Sequence, residues 1–391
     1  NYVTKGMAEV LAAYNCALIA DMFGDAPCSQ AALIDENGSP VYLTPKMDKQ
    51  EEIYTQAMQY LDDAIADLQK EDLIDPEAQD LLYQGDAEKW LKLAYGLKAR
   101  YTMHLLKRSA NKDADMEKVL EYVNNSFESA EEQAAFDVYD ANNINPLYGF
   151  FVARAGLGAS ESMRSKLAEY NDPRLSRAFI TKQGTSGKEQ APGTADNAVY
   201  APNGTPEQGT SKYGTSLFMY SISAPTLLLS YHELKFLEAE ALCRLERDAK
   251  SALKDAVVAG LLNAENSFTI SRKELGKTLI NAASSITEAE AESYFDNTIE
   301  AKYTAEPLKT TMTQKYFALW GASGEATESY NDVRRMKGLG ENFIELKNPN
   351  SFPLRCPYGN SDTTTNAEVK AAYGNGQYVY SENVWWAGGS R

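Results

Sequence analysis

Apolar residues recur at helical spacing through four segments in the first part of the chain. Positions three and four residues apart lie on one face of a helix, so each stripe predicts an amphipathic helix. Gly24 and Pro27 end the first segment, because glycine favours the cap conformation and proline cannot continue a helix. Asp86 is a typical N-cap residue for the third. The predicted helices cover residues 3–23, 50–70, 86–108 and 113–134.

The same periodicity returns after Pro225, a residue that suits the first position of a helix. Consecutive helices form pairs of tetratricopeptide size, without a strictly repeated sequence, and such pairs stack so that neighbours bury each other's apolar faces. The predicted fold class is mainly α: a superhelix of tetratricopeptide-like helix pairs with a large irregular insertion and few or no short strands. The predicted helices here are 226–245 paired with 248–263, a short acidic helix at 287–296, and 307–320 with 325–336 as a fourth pair.

Two stretches lack helical periodicity. Residues 135–224 are dense in Gly, Pro, Asn, Ser and Thr with interleaved aromatic residues, and within them 181–211 predicts a long loop. Loops of that length are usually functional or mobile. We interpret 1–391 as a single domain, with helix pairs in 1–134 and 225–336, an irregular ligand-side region at 135–224 and an irregular tail at 337–391.

Net charge limits the classes of partner. The formal charge is -17 and the isoelectric point about 4.7, so the surface repels nucleic-acid phosphates and does not suit docking on anionic lipid. No apolar run is expected to approach the roughly 20 residues that span a bilayer. The start at Asn1, almost inside a helix, favours a truncated or processed chain whose targeting segment is not seen.

Residue types that carry catalysis and metal binding are sparse. The two histidines, His104 and His232, both fall inside predicted helices, and the four cysteines show no C-x-x-C spacing and no disulfide framework. Phosphate-binding loops, nucleophile elbows and calcium loops are not matched either. The 55 acidic residues leave a glycosidase pair open by counting alone. We expect no enzyme, no cofactor and no metal site.

Several short phrases occur along the chain in a fixed order. Physically each is a helix signal with a cap or a stop, and Asp25 is expected to hydrogen-bond within its own turn. The phrases are Phe23-Gly24-Asp25-Ala26-Pro27, Ile53-Tyr54 with Asp67-Leu68, Gly85-Asp86 with Lys89-Trp90, Asp172-Pro173-Arg174, Ser230-Tyr231 through Ala241, Gln314-Lys315-Tyr316, Asp332 with Arg334-Arg335, and Arg355 with Tyr358, Asn366 and Val384-Trp385-Trp386.

Taken together, these phrases resemble the SusD/RagB-like family of outer-membrane nutrient-binding lipoproteins, in its shorter SusD-like branch. The resemblance covers nearly the whole chain. Gly359 departs from it, since the family usually has proline after the tail tyrosine. The N-terminal segment with the lipid-bearing cysteine is also absent, so the anchor and signal peptide are not in this chain.

The resemblance implies a lipid-anchored outer-membrane protein at the cell surface. It would bind an oligosaccharide or polysaccharide, without catalysis, and deliver it to a SusC-like TonB-dependent transporter, in the manner of polysaccharide-utilization systems. The helix pairs would face the transporter, and the irregular region would carry the ligand site. Nucleic acid is not an expected partner.

Aromatic residues are the best candidates for ligand contact, because a tyrosine offers an apolar face and a polar tip to a sugar ring. The chain has 24 Tyr, 13 Phe and 4 Trp. Most, including Trp90 and Tyr101, are expected to pack in the core, and Trp385 and Trp386 in the tail as well. The candidate ligand residues lie in predicted loops or at a helix end, and are Tyr42, Tyr148, Tyr200, Tyr213 and Trp320.

Two other functions stay open from the sequence. The first is surface binding of peptides, glycopeptides or another nutrient, which charged pockets in place of aromatic shelves would favour. The second is a protein-binding tetratricopeptide-like scaffold, which an irregular region without an exposed aromatic cleft would favour. Fold analogy alone does not distinguish these functions, because function depends on the chemistry of the site.

Overall fold

The structure, a computed structural model, describes residues 1–72, 76–154, 157–183, 189–193, 198–204, 212–321 and 324–390. Parts of the predicted loop 181–211 and the residues between Gly321 and Gly324 lie outside the described residues. The chain divides into two compact units. Unit 1 contains Asn1–Ser126, Asn331–Asn342 and Ser351–Arg391, and unit 2 contains Phe127–Tyr330 and Phe343–Asn350. The predicted single-domain organisation stays a prediction.

Unit 1 is built on four helices in which each packs against the next: α1 (Tyr2–Phe23), α2 (Gln50–Leu68), α3 (Ala87–His104) and α4 (Lys112–Asn124). These are the predicted pairs, although the fourth helix ends at Asn124 rather than near residue 134. Asp86 caps α3 as predicted, because its carboxylate accepts hydrogen bonds from the backbone N–H groups of Glu88 and Lys89.

The buried face of α1 differs from the predicted stripe. Leu11, expected inside, is 40% exposed, whereas a row of small residues is buried. A Cβ at Gly6 would lie 2.6 Å from Leu68 Cγ, so α1 and α2 approach too closely for a larger side chain there. The helix therefore packs through small residues, which are Gly6, Ala13, Ala17 and Ala20.

By length and composition, α1 could also cross a membrane, which corrects the expectation that no segment qualifies. Its mean hydropathy reaches 1.2, and 33% of the qualifying window is buried. The core helix of a soluble protein meets the same test. Here α1 packs against α2 and α3 and buries the carboxylate of Asp21, so we interpret it as a core helix of unit 1.

The Phe23–Pro27 phrase connects α1 to α2 rather than closing only its own turn. Gly24 has φ 80° and ψ −123°, a conformation that only glycine adopts readily. The Asp25 carboxylate accepts from the backbone N–H of Gln50 at 2.9 Å and from Lys49 Nζ at 2.8 Å. It also accepts from the hydroxyl of Tyr373 in the tail. The predicted local role of Asp25 is therefore wrong, since its partners lie at the start of α2 and in the tail.

The tail adds two short helices that the sequence did not predict, α13 (Asn360–Thr365) and α14 (Ala367–Tyr373). Tyr358 precedes them and is buried, with its hydroxyl donating to the carbonyl of Asp25 at 2.6 Å and accepting from Arg355 at 2.8 Å. Burial raises the pKa of Tyr358 to about 12, so the phenol stays protonated and keeps donating.

Replacing Gly359 by proline is expected to raise the free energy of unfolding by about 0.4–1 kcal/mol. Gly359 has φ −60°, the angle that proline fixes, and the atom nearest to a Cβ there is the flexible carboxylate of Asp362. The gain arises because proline restricts the unfolded chain. Urea titration measures it, with Gly359→Ala as the matched control. Destabilisation by the proline alone would show that the Gly359 N–H or ring space is needed.

Unit 2 begins with two small sheets and two helices: β1 (Ala134–Phe136), α5 (Pro146–Arg154), α6 (Glu161–Glu169), β2 (Phe179–Gln183), β3 (Glu189–Pro192), β4 (Thr215–Ser216) and β5 (Thr226–Leu229). The first sheet pairs β1 with β5 antiparallel, and the second has the order β3-β2-β4. Helices α5 and α6 lie inside the region predicted to be irregular. The strands among the described residues are two to five residues long, in agreement with the predicted mainly-α class.

The helix predicted from Thr226 begins later. Thr226–Leu229 forms β5 against Ala134–Phe136, and α7 (Tyr231–Arg244) starts after Ser230, whose hydroxyl accepts from the N–H of Glu233 at 3.1 Å. A short apolar run fits a strand or a helix equally well, so the long-range partner decides.

The rest of unit 2 is helical. Helix α8 (Lys250–Leu275) packs on α7 and extends well beyond the predicted end at 263. Helices α9 (Glu288–Tyr294), α10 (Glu300–Ala305) and α11 (Pro307–Ala318) follow, with a π-helical turn between the first two. The predicted pairing of 307–320 with 325–336 is replaced by packing of α11 on α7, α8 and α10. The chain then continues into α12 (Ala326–Leu339).

Candidate functional site

The structure packs three of the five candidate aromatic residues into unit 2. Tyr213 is only 8% exposed. Tyr200 and Trp320 both contact the buried ring of Phe179, with centroid separations of 5.2 and 5.3 Å. These contacts indicate that the three residues mainly stabilise the fold. The sequence alone could not separate them from ligand contacts, because a loop position does not fix burial.

Tyr42 lies in unit 1, in the connection between α1 and α2. It is 43% exposed and has exposed apolar neighbours on both sides, Val41 at 50% and Leu43 at 86%. The nearby turn is fixed by Asp35, whose carboxylate accepts from the N–H groups of Asn37 and Ser39. Tyr42 is thus available to a ligand, but the described residues around it do not form a cleft.

Tyr148 on α5 has the properties expected of a ligand residue. Its ring is half-buried, and its hydroxyl donates to Glu274 Oε1 on α8 at 3.3 Å. Partial burial, with a smaller effect of the Glu274 charge, raises the pKa of Tyr148, so the phenol remains a donor at neutral pH. An aromatic face beside a carboxylate suits a ring with apolar C–H groups and hydroxyls.

A groove of about 430 Å³ lies along the exposed side of α8, between α7 and α9. We name it the α8 groove. Helix α7 contributes Tyr231 and the buried His232, and α9 contributes two exposed carboxylates one turn apart. Helix α8 contributes a charged pair near its start, small apolar residues and two amides. The residues used below are Tyr231, His232, Lys254, Asp255, Asn263, Asn266, Glu288 and Glu292.

The groove and Tyr148 are connected by one row of α8. Residues four apart share a helix face, so Asn266, Ile270 and Glu274 follow one another along it. At 1.5 Å per residue, Asn266 and Glu274 are about 12 Å apart along the axis. The row therefore leads from the groove to the carboxylate that holds the Tyr148 hydroxyl, with Tyr231 near one end and Tyr148 at the other.

The charges that line the groove are largely compensated. Lys254 Nζ lies 2.8 Å from Asp296, and Asp255 lies 3.6 Å from Lys235 Nζ. Burial lowers the pKa of His232 to about 4, so its imidazole is uncharged at neutral pH. Burial also raises the pKa of Tyr231, whose backbone N–H donates to Gln133 at 3.2 Å. At neutral pH the groove thus offers neutral donors and acceptors beside paired charges.

Sequence reasoning missed this groove because all of its residues lie in or beside helices, where packing roles were assigned. One signal was present. Asn263 and Asn266 are poor helix formers on the accessible side of a long helix, where Glu, Lys or Gln would be the ordinary choice. Their amides carry both donors and acceptors, and a surface that binds hydroxyl groups uses both.

Comparison with known proteins gives a consistent set of matches. Residues 1–358 match the profile of the family SusD-like_2, described as starch-binding and associating with the outer membrane. A crystal structure of a SusD/RagB family protein from Bacteroides thetaiotaomicron VPI-5482 is 67% identical, with a TM-score of 0.94. That match covers 100% of this chain and 82% of the other.

More distant structures share the fold. A SusD homolog from Bacteroides fragilis NCTC 9343 is 20% identical with a TM-score of 0.74, and the match covers 99% of this chain and 84% of the other. A chitin-binding protein is 21% identical with a TM-score of 0.70, covering 98% and 80%. The comparison with curated proteins finds no match.

Proposed function

The chain belongs to the SusD-like family of starch-binding proteins that associate with the outer membrane, and we propose that it is a non-catalytic, cell-surface oligosaccharide-binding protein. We further propose that it is lipid-anchored and delivers its ligand to a SusC-like TonB-dependent transporter. Family membership supports these roles. The chemistry of the α8 groove supports the class of ligand.

The observation that carries the proposal is the sequence of groups along α8. Tyr231 and Tyr148 provide two aromatic faces, and Asn263 and Asn266 provide amides between them. Sugar rings present apolar C–H faces to aromatic rings and hydroxyls to amides. A path longer than about 12 Å spans more than one ring, so we assign an oligosaccharide rather than a monosaccharide.

A peptide ligand is the second candidate, and the carboxylates favour it. Glu288 and Glu292 lie one turn apart on α9 and are exposed to the groove, and the protein as a whole has a charge of -17. Such a surface attracts a cationic peptide, in a way that weakens with salt. A neutral oligosaccharide would show little dependence on salt.

The test is isothermal titration with starch-derived and chitin-derived oligosaccharides and with a basic peptide. We expect saccharide binding that Tyr231→Ala and Tyr148→Ala each weaken about tenfold, the effect of losing roughly 1.4 kcal/mol of ring contact. Tyr380→Ala is the matched control, because Tyr380 is 64% exposed and lies in the tail of unit 1.

The outcomes separate the hypotheses. A saccharide that binds both variants as tightly as the wild type would show that the α8 groove is not its site. Binding of the peptide alone, with affinity that falls as salt rises, would replace the saccharide proposal. If a bound saccharide is cleaved during the titration, the non-catalytic role is wrong.

A further inference from the structure

Cys16 and Cys28 bring their sulfur atoms together in unit 1. Cys16 lies on α1, and Cys28 follows the turn that ends this helix. Their Sγ atoms are 3.1 Å apart, although both are free thiols in the structure. The other two cysteines have different surroundings: Cys243 Sγ lies 3.7 Å from the hydroxyl of Thr311, and the Cys356 N–H donates to the carbonyl of Met22.

The approach of the two sulfurs is held in place by the backbone. Ala26 and Asp48 exchange two backbone hydrogen bonds, at 3.1 and 3.0 Å. The Asp48 carboxylate accepts from the N–H of Cys28 at 2.9 Å and from the N–H and hydroxyl of Ser29, both at 2.7 Å. Cys28 is thus fixed opposite a residue of a rigid helix, and about 1 Å of sulfur movement separates the pair from bonding distance.

We propose that Cys16 and Cys28 form a reversible disulfide that fastens the connection between α1 and α2 to α1. The oxidant is another disulfide, of a small thiol or of a thiol-oxidising protein. The Cys16 thiolate attacks it and forms a mixed disulfide, releasing one thiolate. The Cys28 thiolate then attacks the Cys16 sulfur and releases the second. Two protein thiols and one disulfide yield one protein disulfide and two thiols.

The surroundings of the pair favour this order of attack. The hydrogen bond from Cys28 lowers the pKa of Cys16, whereas the same bond, burial and the Asp48 charge raise the pKa of Cys28. Cys16 is therefore the thiol that ionises first and attacks first. Association with the outer membrane places the protein outside the reducing cytosol, where disulfides persist.

The bond would restrain the surface connection that follows α1. The exposed apolar residues of this connection include Leu33, Ile34 and Leu43, with Tyr42 among them. Closing a loop of this size removes conformations from the unfolded chain, and we expect the oxidised form to melt about 5 °C above the reduced form.

The folded full chain is incubated with oxidised or with reduced glutathione, its free thiols are then alkylated under denaturing conditions, and it is digested without reduction. In the oxidised sample we expect the peptides that carry Cys16 and Cys28 to be joined, with Cys243 and Cys356 alkylated. Four alkylated cysteines in that sample, or a joined pair that includes Cys243 or Cys356, would overturn the proposal.

Variants extend the test to stability. The Cys16→Ser/Cys28→Ser double variant should lose the melting shift between the two glutathione conditions, and Cys356→Ser should keep it. A shift that survives the double variant would exclude this pair as its cause. If the double variant does not fold, the peptide map of the wild type decides by itself.

Discussion

Replacing Asp21 by alanine is expected to lower the free energy of unfolding by about 3–5 kcal/mol, because three buried donors lose their acceptor. Asp21 is 1% exposed on α1. Its carboxylate accepts from the Tyr54 hydroxyl, from Trp386 Nε1 at 2.9 Å and from Asn331 Nδ2 at 3.4 Å. Alanine can satisfy none of these groups, and each buried, unsatisfied donor costs about 1–3 kcal/mol.

Urea titration followed by tryptophan fluorescence and circular dichroism measures this loss. Asp63→Ala is the matched control, since Asp63 accepts from Gln59 at 2.8 Å at the surface of α2, and a change within about 0.5 kcal/mol is expected. A loss below 1 kcal/mol for Asp21→Ala would mean that Trp386 and Tyr54 find other acceptors, and that this carboxylate does not hold the tail to α1 and α2.

Replacing Arg174 by alanine is expected to cost unit 2 a similar amount, about 3–5 kcal/mol, by leaving a buried carboxylate without its counter-ion. Arg174 is 2% exposed and donates to both oxygens of Asp172, at 2.9 and 2.6 Å. It also donates to the carbonyl of Phe317 on α11 at 2.7 Å, which ties the Asp-Pro-Arg turn to that helix. Lysine should not rescue the variant, because it cannot form the two-pronged pair.

Two comparisons make this result specific. Arg164→Ala removes an arginine that pairs with Glu161 at the surface, at 2.7 Å, and should cost only about 0–1 kcal/mol. The Asp172→Ala/Arg174→Met double variant should cost less than the sum of its two single changes, since it removes both charges together. Additive losses would show that the pair contributes no coupling energy.

The family phrases have structural roles in this protein wherever the described residues reveal their contacts. Asp25 begins α2 and receives the Tyr373 hydroxyl, and Arg174 joins a turn to α11. Asp332 pairs with the buried Arg335 at 2.7 Å. Phrases that are shared because they hold a fold identify the family, but they do not indicate the ligand site.

The candidate site was predictable only in part. Tyr148 was selected for its type and its loop position, and the structure leaves it half-buried beside Glu274. Tyr213 was selected on the same grounds and is buried, because its exposure depends on residues distant in the chain. Asn263 and Asn266 were not selected, since their helix was assigned to packing.

By itself, the sequence determined the helical class, the order of the helices and several of their caps. A cap such as Asp86 and an apolar stripe act over a few residues, and hydrogen bonding within the helix makes such signals local. Tertiary structure decided which face of α1 is buried, that Thr226–Leu229 is a strand, and which partners Asp21 and Arg174 meet. It also brought Cys16 to Cys28 and opened the α8 groove. These features depend on contacts between distant segments, and their free energy is gained only when the segments pack together.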